Sequence, residues 1–127
     1  MNKKRILIID DEASITRSVR LNLEALGTYE VRQENVATAA VQSAREFKPD
    51  LILLDVMMPG MDGGEVAAKL RESPWMRDIP IIFLTAIVSN AETHGNEAAI
   101  GGQVYLAKPV NLDTLTHAIE QHLNKHA

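Results

Sequence analysis

With 127 residues, 46% of them hydrophobic and 24% charged, the chain has ordinary globular composition and room for one domain with a proper core. A formal net charge of -4 argues against non-specific nucleic-acid binding, and the absence of cysteine excludes a disulfide framework and a thiolate metal site. No run approaches the roughly 20 apolar residues that span a bilayer, and the first apolar run leads straight into acids, unlike a signal peptide; the reading is one cytoplasmic domain over residues 1–127 with no membrane insertion.

In chain order, apolar runs of strand length alternate with segments of helical period, the pattern of a parallel α/β sheet. A first strand runs from Arg5 to Ile9. Ile15, Val19, Leu23 and Leu26 then recur at helical spacing, with Gly27 suited to a left-handed cap. Tyr29 to Gln33 is a weaker, edge-like strand, and a second helix carries Val36, Ala40, Ala44 and Phe47 before Pro49 ends it. Leu51 to Leu54 is apolar throughout, as for a strand buried on both faces. The run from Pro59 to Gly64 is a loop by composition, and a third helix from Glu65 to Glu72 places Val66 and Leu70 inward. A fourth strand covers Pro80 to Leu84. A short fourth helix is expected within Ser89 to Ile100, broken by Gly101-Gly102. The fifth strand is Val104 to Ala107, and the fifth helix starts after Asn111, an N-cap, with Leu112, Leu115, Ile119 and Leu123 on one face.

Four of these strands run into residues with a use for phosphate or a divalent cation. The first ends in Asp10-Asp11-Glu12, the third in Asp55, the fourth in Thr85 and the fifth in Lys108-Pro109. In an open parallel sheet the C-terminal strand ends share one edge, where ligands bind. Taken singly, the acids suit a helix N-terminus, the threonine a cap and the lysine a solvated loop. Together, close carboxylates with no Cys or His beside them point to Mg²⁺ (or Mn²⁺), and a further carboxylate is a nucleophile toward phosphorus. A hydroxyl and an ammonium on the other side would neutralise phosphoryl oxygens.

Asp10-Asp11-Glu12, the segment from Pro49 through Asp55 to Gly63, Leu84-Thr85-Ala86 and Tyr105-Leu106-Ala107-Lys108-Pro109 resemble the receiver domain of two-component response regulators, in order and over essentially the whole chain. That resemblance implies a doubly wound, five-stranded parallel sheet of flavodoxin-like order 2-1-3-4-5 with helices on both faces. It implies Asp55 as phosphoacceptor toward a sensor histidine kinase or phosphotransfer protein. Asp10, Asp11, Asp55 and the Met57 carbonyl would hold Mg²⁺, Thr85 and Lys108 would sense the phosphoryl group, and Tyr105 would follow Thr85 as a switch. Pro109 would follow a cis peptide bond. The output face would combine the fourth helix, fifth strand and fifth helix and meet an unknown downstream protein or, on phosphorylation, a second copy.

Val104 and Gly102 depart from the usual family pattern, which leaves the acid cluster intact and bears on the output surface. Apolar Met57 and Ile87 flank the site without a base for water, which favours a long-lived phosphoryl state. An aspartyl phosphatase would need a second carboxylate where Met57 stands, and a flavin or nucleotide binder would need a Gly- or Ser-rich loop where Asp10-Asp11-Glu12 stands. His117, His122 and His126 are read as a solvated C-terminal turn. The chain is therefore read as a self-modifying switch without enzymatic turnover.

Overall fold

The computed structural model describes residues 3–86, 97–100 and 103–125. Lys4–Ile9 (β1), Tyr29–Glu34 (β2), Leu51–Asp55 (β3), Ile81–Thr85 (β4), Glu97–Ile100 (β5) and Gln103–Ala107 (β6) form one sheet of order β2-β1-β3-β4-β6-β5. Ala13–Ala25 (α1), Ala40–Phe47 (α2), Gly63–Arg71 (α3) and Leu112–Lys125 (α4) are the α-helices, with a single 3-10 turn at Ala37–Ala39 leading into α2. The pairs β2–β1, β1–β3, β3–β4 and β4–β6 are all parallel, so five strands run in the expected order, and β2 is an edge.

Alternation along the strands builds two cores. Ile6, Ile8, Leu51, Leu53, Ile82, Leu84 and Leu106 face α1 and α4 through Val19, Leu23, Leu115 and Ile119. Leu7, Ile9, Ile52, Leu54 and Phe83 face α2 and α3 through Ala40, Ala44, Val66 and Leu70. Ile6 to Ile9 and Leu51 to Leu54 are fully buried. Burying one such side chain is worth about 1.5–3 kcal/mol, so the two central strands anchor everything attached to their ends.

The helix ends follow local rules with small shifts. Gly27 takes φ +84 after α1, as expected. α2 stops before Pro49, as expected, and Lys48 closes it, adopting φ 54 while its N–H reaches the Ala44 carbonyl; the following proline disfavours a helical conformation there. α3 starts earlier than the spacing suggested because the Asp62 carboxylate accepts the Glu65 N–H at 2.9 Å. Asn111 caps α4 as expected, its Oδ1 accepting the Thr114 N–H at 3.0 Å.

One expectation fails. Within the segment read as a fourth helix, Glu97–Ile100 is a strand, antiparallel to β6, and residues 89–96 lie outside the described residues. Ala98 and Ala99 favour helix locally, but pairing along β6 satisfies backbone groups that a sheet edge leaves open. Ile100 pairs with Gln103, and the two residues between them in sequence are Gly-Gly, a composition suited to a two-residue hairpin connection. The sheet thus extends the expected five parallel strands by an antiparallel sixth.

Glu24 ties α1 to β2: its carboxylate accepts the Val31 N–H at 3.0 Å and Arg20 Nε at 3.2 Å. The Val31 N–H, helped by Arg20, lowers its pKa from the ordinary 4.5 against the opposing effect of burial. A depressed carboxylate contributes stability that is present above pH 4.5 and lost as the pH falls through the folded value. Glu24→Gln should therefore destabilise the protein at pH 7, by about 0.5–1 kcal/mol after solvent screening. Thermal melts across pH should show the gap closing in acid.

Candidate active site

β1 is apolar and buried from Ile6 to Ile9, and the next residue, Asp10, is also 0% exposed. The Asp10 N–H donates to the Glu34 carbonyl at the end of β2 (3.1 Å), while its Oδ1 accepts the Glu12 N–H (2.9 Å). Asp55 is the last residue of β3 and is also buried. Its Oδ1 accepts Lys108 Nζ at 3.1 Å and, more weakly, the Met57 N–H at 3.4 Å. Asp10, Asp11 and Asp55 each bring a carboxylate oxygen within 4.8 Å of the others, with Asp11 exposed.

Lys108 arrives from the end of β6, where its N–H donates to the Thr85 carbonyl at 2.9 Å and fixes it beside the end of β4. Its ammonium lies 2.8 Å from Asp10 Oδ2, 3.1 Å from Asp55 Oδ1 and 3.8 Å from Glu12 Oε1. The Asp10 contact is a charge contact without hydrogen-bond geometry, so Asp10 Oδ2 is buried with no hydrogen-bond partner among the described residues. Burial disfavours the charged lysine, but the Asp10 and Asp55 carboxylates beside it outweigh that and raise the Lys108 pKa above 10.5. Burial raises Asp55 above 3.8, with the Asp10 charge adding to it and Lys108 opposing.

Thr85 is buried at the end of β4, in register with Ala107, and Asp55 is in register with Leu84. Tyr105 stacks on Phe83, with ring centroids 5.2 Å apart, against the α2–α3 core. Met57 follows Asp55 with its side chain 67% exposed. The Lys108–Pro109 peptide is cis, as the family resemblance implied. The structure brings Asp10, Asp11, Asp55 and Lys108 together. The histidines do not join: His117 is exposed, His122 Nδ1 lies 2.7 Å from the Ala118 carbonyl, and His126 lies outside the described residues.

Some contributors carry no signal in the sequence pattern. Gly63 packs so tightly under the site that a Cβ there would lie 2.5 Å from the Asp55 carbonyl oxygen. Its N–H donates to Val56 at 2.8 Å, locking the exit of β3 to α3. Asn35, Gln33 and Thr16 surround the Asp10 backbone from β2 and α1.

The family model of the response regulator receiver domain matches residues 6–120. This chain belongs to that family. Among curated relatives, the receiver is 43% identical over 112 residues to the response regulator PleD of Caulobacter vibrioides, an alignment covering 84% of this chain and 23% of PleD. The chain spans between 23% and 51% of the length of the curated relatives it matches. Among solved structures, the receiver is similar to the chemotaxis protein CheY4 of Vibrio cholerae, with a TM-score of 0.80 and 30% identity over 94% of this chain and 98% of that one. It is also similar to the receiver domain of the sensor histidine kinase PA1611 from Pseudomonas aeruginosa PAO1, which holds a magnesium ion in its active-site cleft. That match has a TM-score of 0.78 and 28% identity, covering 97% of this chain and 99% of that one.

Two outcomes test this receiver's geometry. Gly63→Ala should cost about 1–3 kcal/mol, because backbone must move, and chemical denaturation measures it. Asp55, with its raised pKa, contributes stability when protonated below pH 3.8 that is lost as the pH rises through the folded value. Asp55→Asn should therefore raise the melting temperature at neutral pH without divalent cations, and melts below pH 3.8 should show that advantage disappear.

Proposed function

We propose that this receiver accepts a phosphoryl group on Asp55 from a phosphohistidine of a sensor kinase or phosphotransfer protein in the cytoplasm. An Asp55 oxygen forms the new P–O bond as the P–N bond breaks, and the electron pair of that bond stays on the departing imidazole. The observation that carries the reading is the arrangement of Asp55 with Asp10, Asp11 and Lys108, in which Asp10 Oδ2 is buried without a hydrogen-bond partner among the described residues.

The donor set fits Mg²⁺ (or Mn²⁺). Asp10, Asp11, Asp55 and the Met57 carbonyl would hold it: these are hard oxygen donors, two of them buried carboxylates. When bound, the cation screens the carboxylates from an approaching phosphoryl group and neutralises charge on its oxygens. Lys108 pairs with a phosphoryl oxygen once it turns from Asp10 toward Asp55, and the Thr85 hydroxyl donates to another. Met57 offers no base to orient water beside Asp55, which favours a long-lived phosphoryl state.

The switch follows from the same geometry. Thr85 moving toward the phosphoryl group opens space behind it, and Tyr105 turns from Phe83 to fill that space. The face that changes is β5, β6 and α4, which presents the state to a downstream protein.

Three experiments bear on this. Acetyl phosphate with Mg²⁺ should modify wild type once and leave Asp55→Asn unmodified by intact-mass spectrometry; modification of that variant at wild-type level would sink the assignment. Mg²⁺ at 100 times its Kd should stabilise the protein by about 2.7 kcal/mol, and an equal shift in Asp11→Ala would place the ion elsewhere. Lys108→Met removes a cation competing for Asp10 and Asp55, so it should tighten Mg²⁺ up to about ten-fold, or about 1.4 kcal/mol. Calorimetric titration with unchanged affinity would count against that competition.

A further inference from the structure

We infer that Asn35, through the buried hydroxyl of Thr16, is a positioning residue for the divalent-cation site, an inference that rests on the phosphoacceptor reading above. Asn35 Nδ2 donates to the Asp10 carbonyl at 2.8 Å and to Thr16 Oγ1 at 2.9 Å, using both of its N–H groups. Thr16 is 0% exposed; its hydroxyl donates to the Ala13 carbonyl (3.1 Å) and accepts from both Asn35 and Gln33 Nε2 (2.9 Å). One donor and two acceptor sites exhaust what a hydroxyl offers, so the network is complete and buried at its hub.

The bond to the Asp10 carbonyl matters because that carbonyl belongs to the peptide joining Asp10 to Asp11. Its orientation sets where both carboxylates point. Asp10 has further restraints, since its N–H is held by Glu34 and its Oδ1 by Glu12. Asp11 is exposed, and no hydrogen bond or ion pair holds its side chain among the described residues, so its place is set by the backbone that Asn35 holds. A donor that fixes the backbone under a ligand acts as outer-shell partners do, where loss typically weakens metal affinity roughly 10- to 100-fold.

The test is calorimetric titration of Mg²⁺ into the intact chain, with melting temperatures taken without metal. Asn35→Ala should weaken Mg²⁺ roughly ten-fold. Thr16→Val, which removes the hub hydroxyl, should weaken it in the same direction, and Thr16→Ser should restore affinity close to wild type. Asn111→Ala supplies the control: Asn111 caps α4 through the Thr114 N–H at 3.0 Å and bonds no member of this network. It should lower the melting temperature and leave Mg²⁺ affinity unchanged. Wild-type affinity in Asn35→Ala, or equal weakening in Asn111→Ala, would overturn the inference while leaving the phosphoacceptor reading standing. A wild-type chain that binds no Mg²⁺ would overturn both.

Discussion

Everything at this site depends on holding three carboxylates within 4.8 Å of one another, two of them buried, against one ammonium. Burying an anion is costly, and mutual repulsion adds to the cost. Lys108 relieves part of it by standing between Asp10 and Asp55, and its contact with Asp10 leaves Oδ2 without a proper hydrogen bond. The carboxylates outnumber the one ammonium, an excess of negative charge that a divalent cation would offset. Burial makes Asp55 harder to ionise, and the Asp10 charge adds to it. Stability and reactivity are therefore opposed at one residue.

A frustrated cluster of this kind needs rigid support, and the sheet supplies it. Asp10 and Asp55 follow strands whose apolar residues are fully buried, so neither acid can retreat into solvent without dragging core side chains with it. The strand ends are then laced together. Val56 donates to Leu84, Lys108 to Thr85, Asp10 to Glu34, and Gly63 returns α3 to Val56. These are backbone bonds, insensitive to side-chain rotamers, and they set the spacing on which the charges act. The Asn35 and Thr16 network extends the same lacing to the peptide between Asp10 and Asp11.

The far edge of the sheet is built differently. β6 carries Lys108 and Tyr105 toward the site and, on its other side, pairs with the antiparallel β5. Tyr105 therefore lies between the Phe83 ring and a strand that continues the sheet. A change in Tyr105 would be transmitted through hydrogen-bonded strands as well as helix packing, which gives the proposed output face a sheet component that a helix alone would lack.

How much of this was legible in the sequence varies with the range of the interaction. The fully apolar Leu51 to Leu54 run, the helical spacing of Val19 and Leu23, and the Asn111 cap act within a few residues, so their elements could be read directly. The acids, Thr85 and Lys108 were legible as strand-end residues because a parallel sheet gathers such ends on one edge. Tertiary structure decided what local preference could not. Glu97–Ile100 became a strand despite two alanines because an unsatisfied edge of β6 outweighed helix propensity. Asn35 and Thr16 are 19 residues apart and meet only because β2 lies beside β1, so no spacing in the sequence announces their bond to the Asp10 loop. Local preference settled which elements form, and the unpaired hydrogen-bonding groups and charges they brought together settled where each one ends and what it holds.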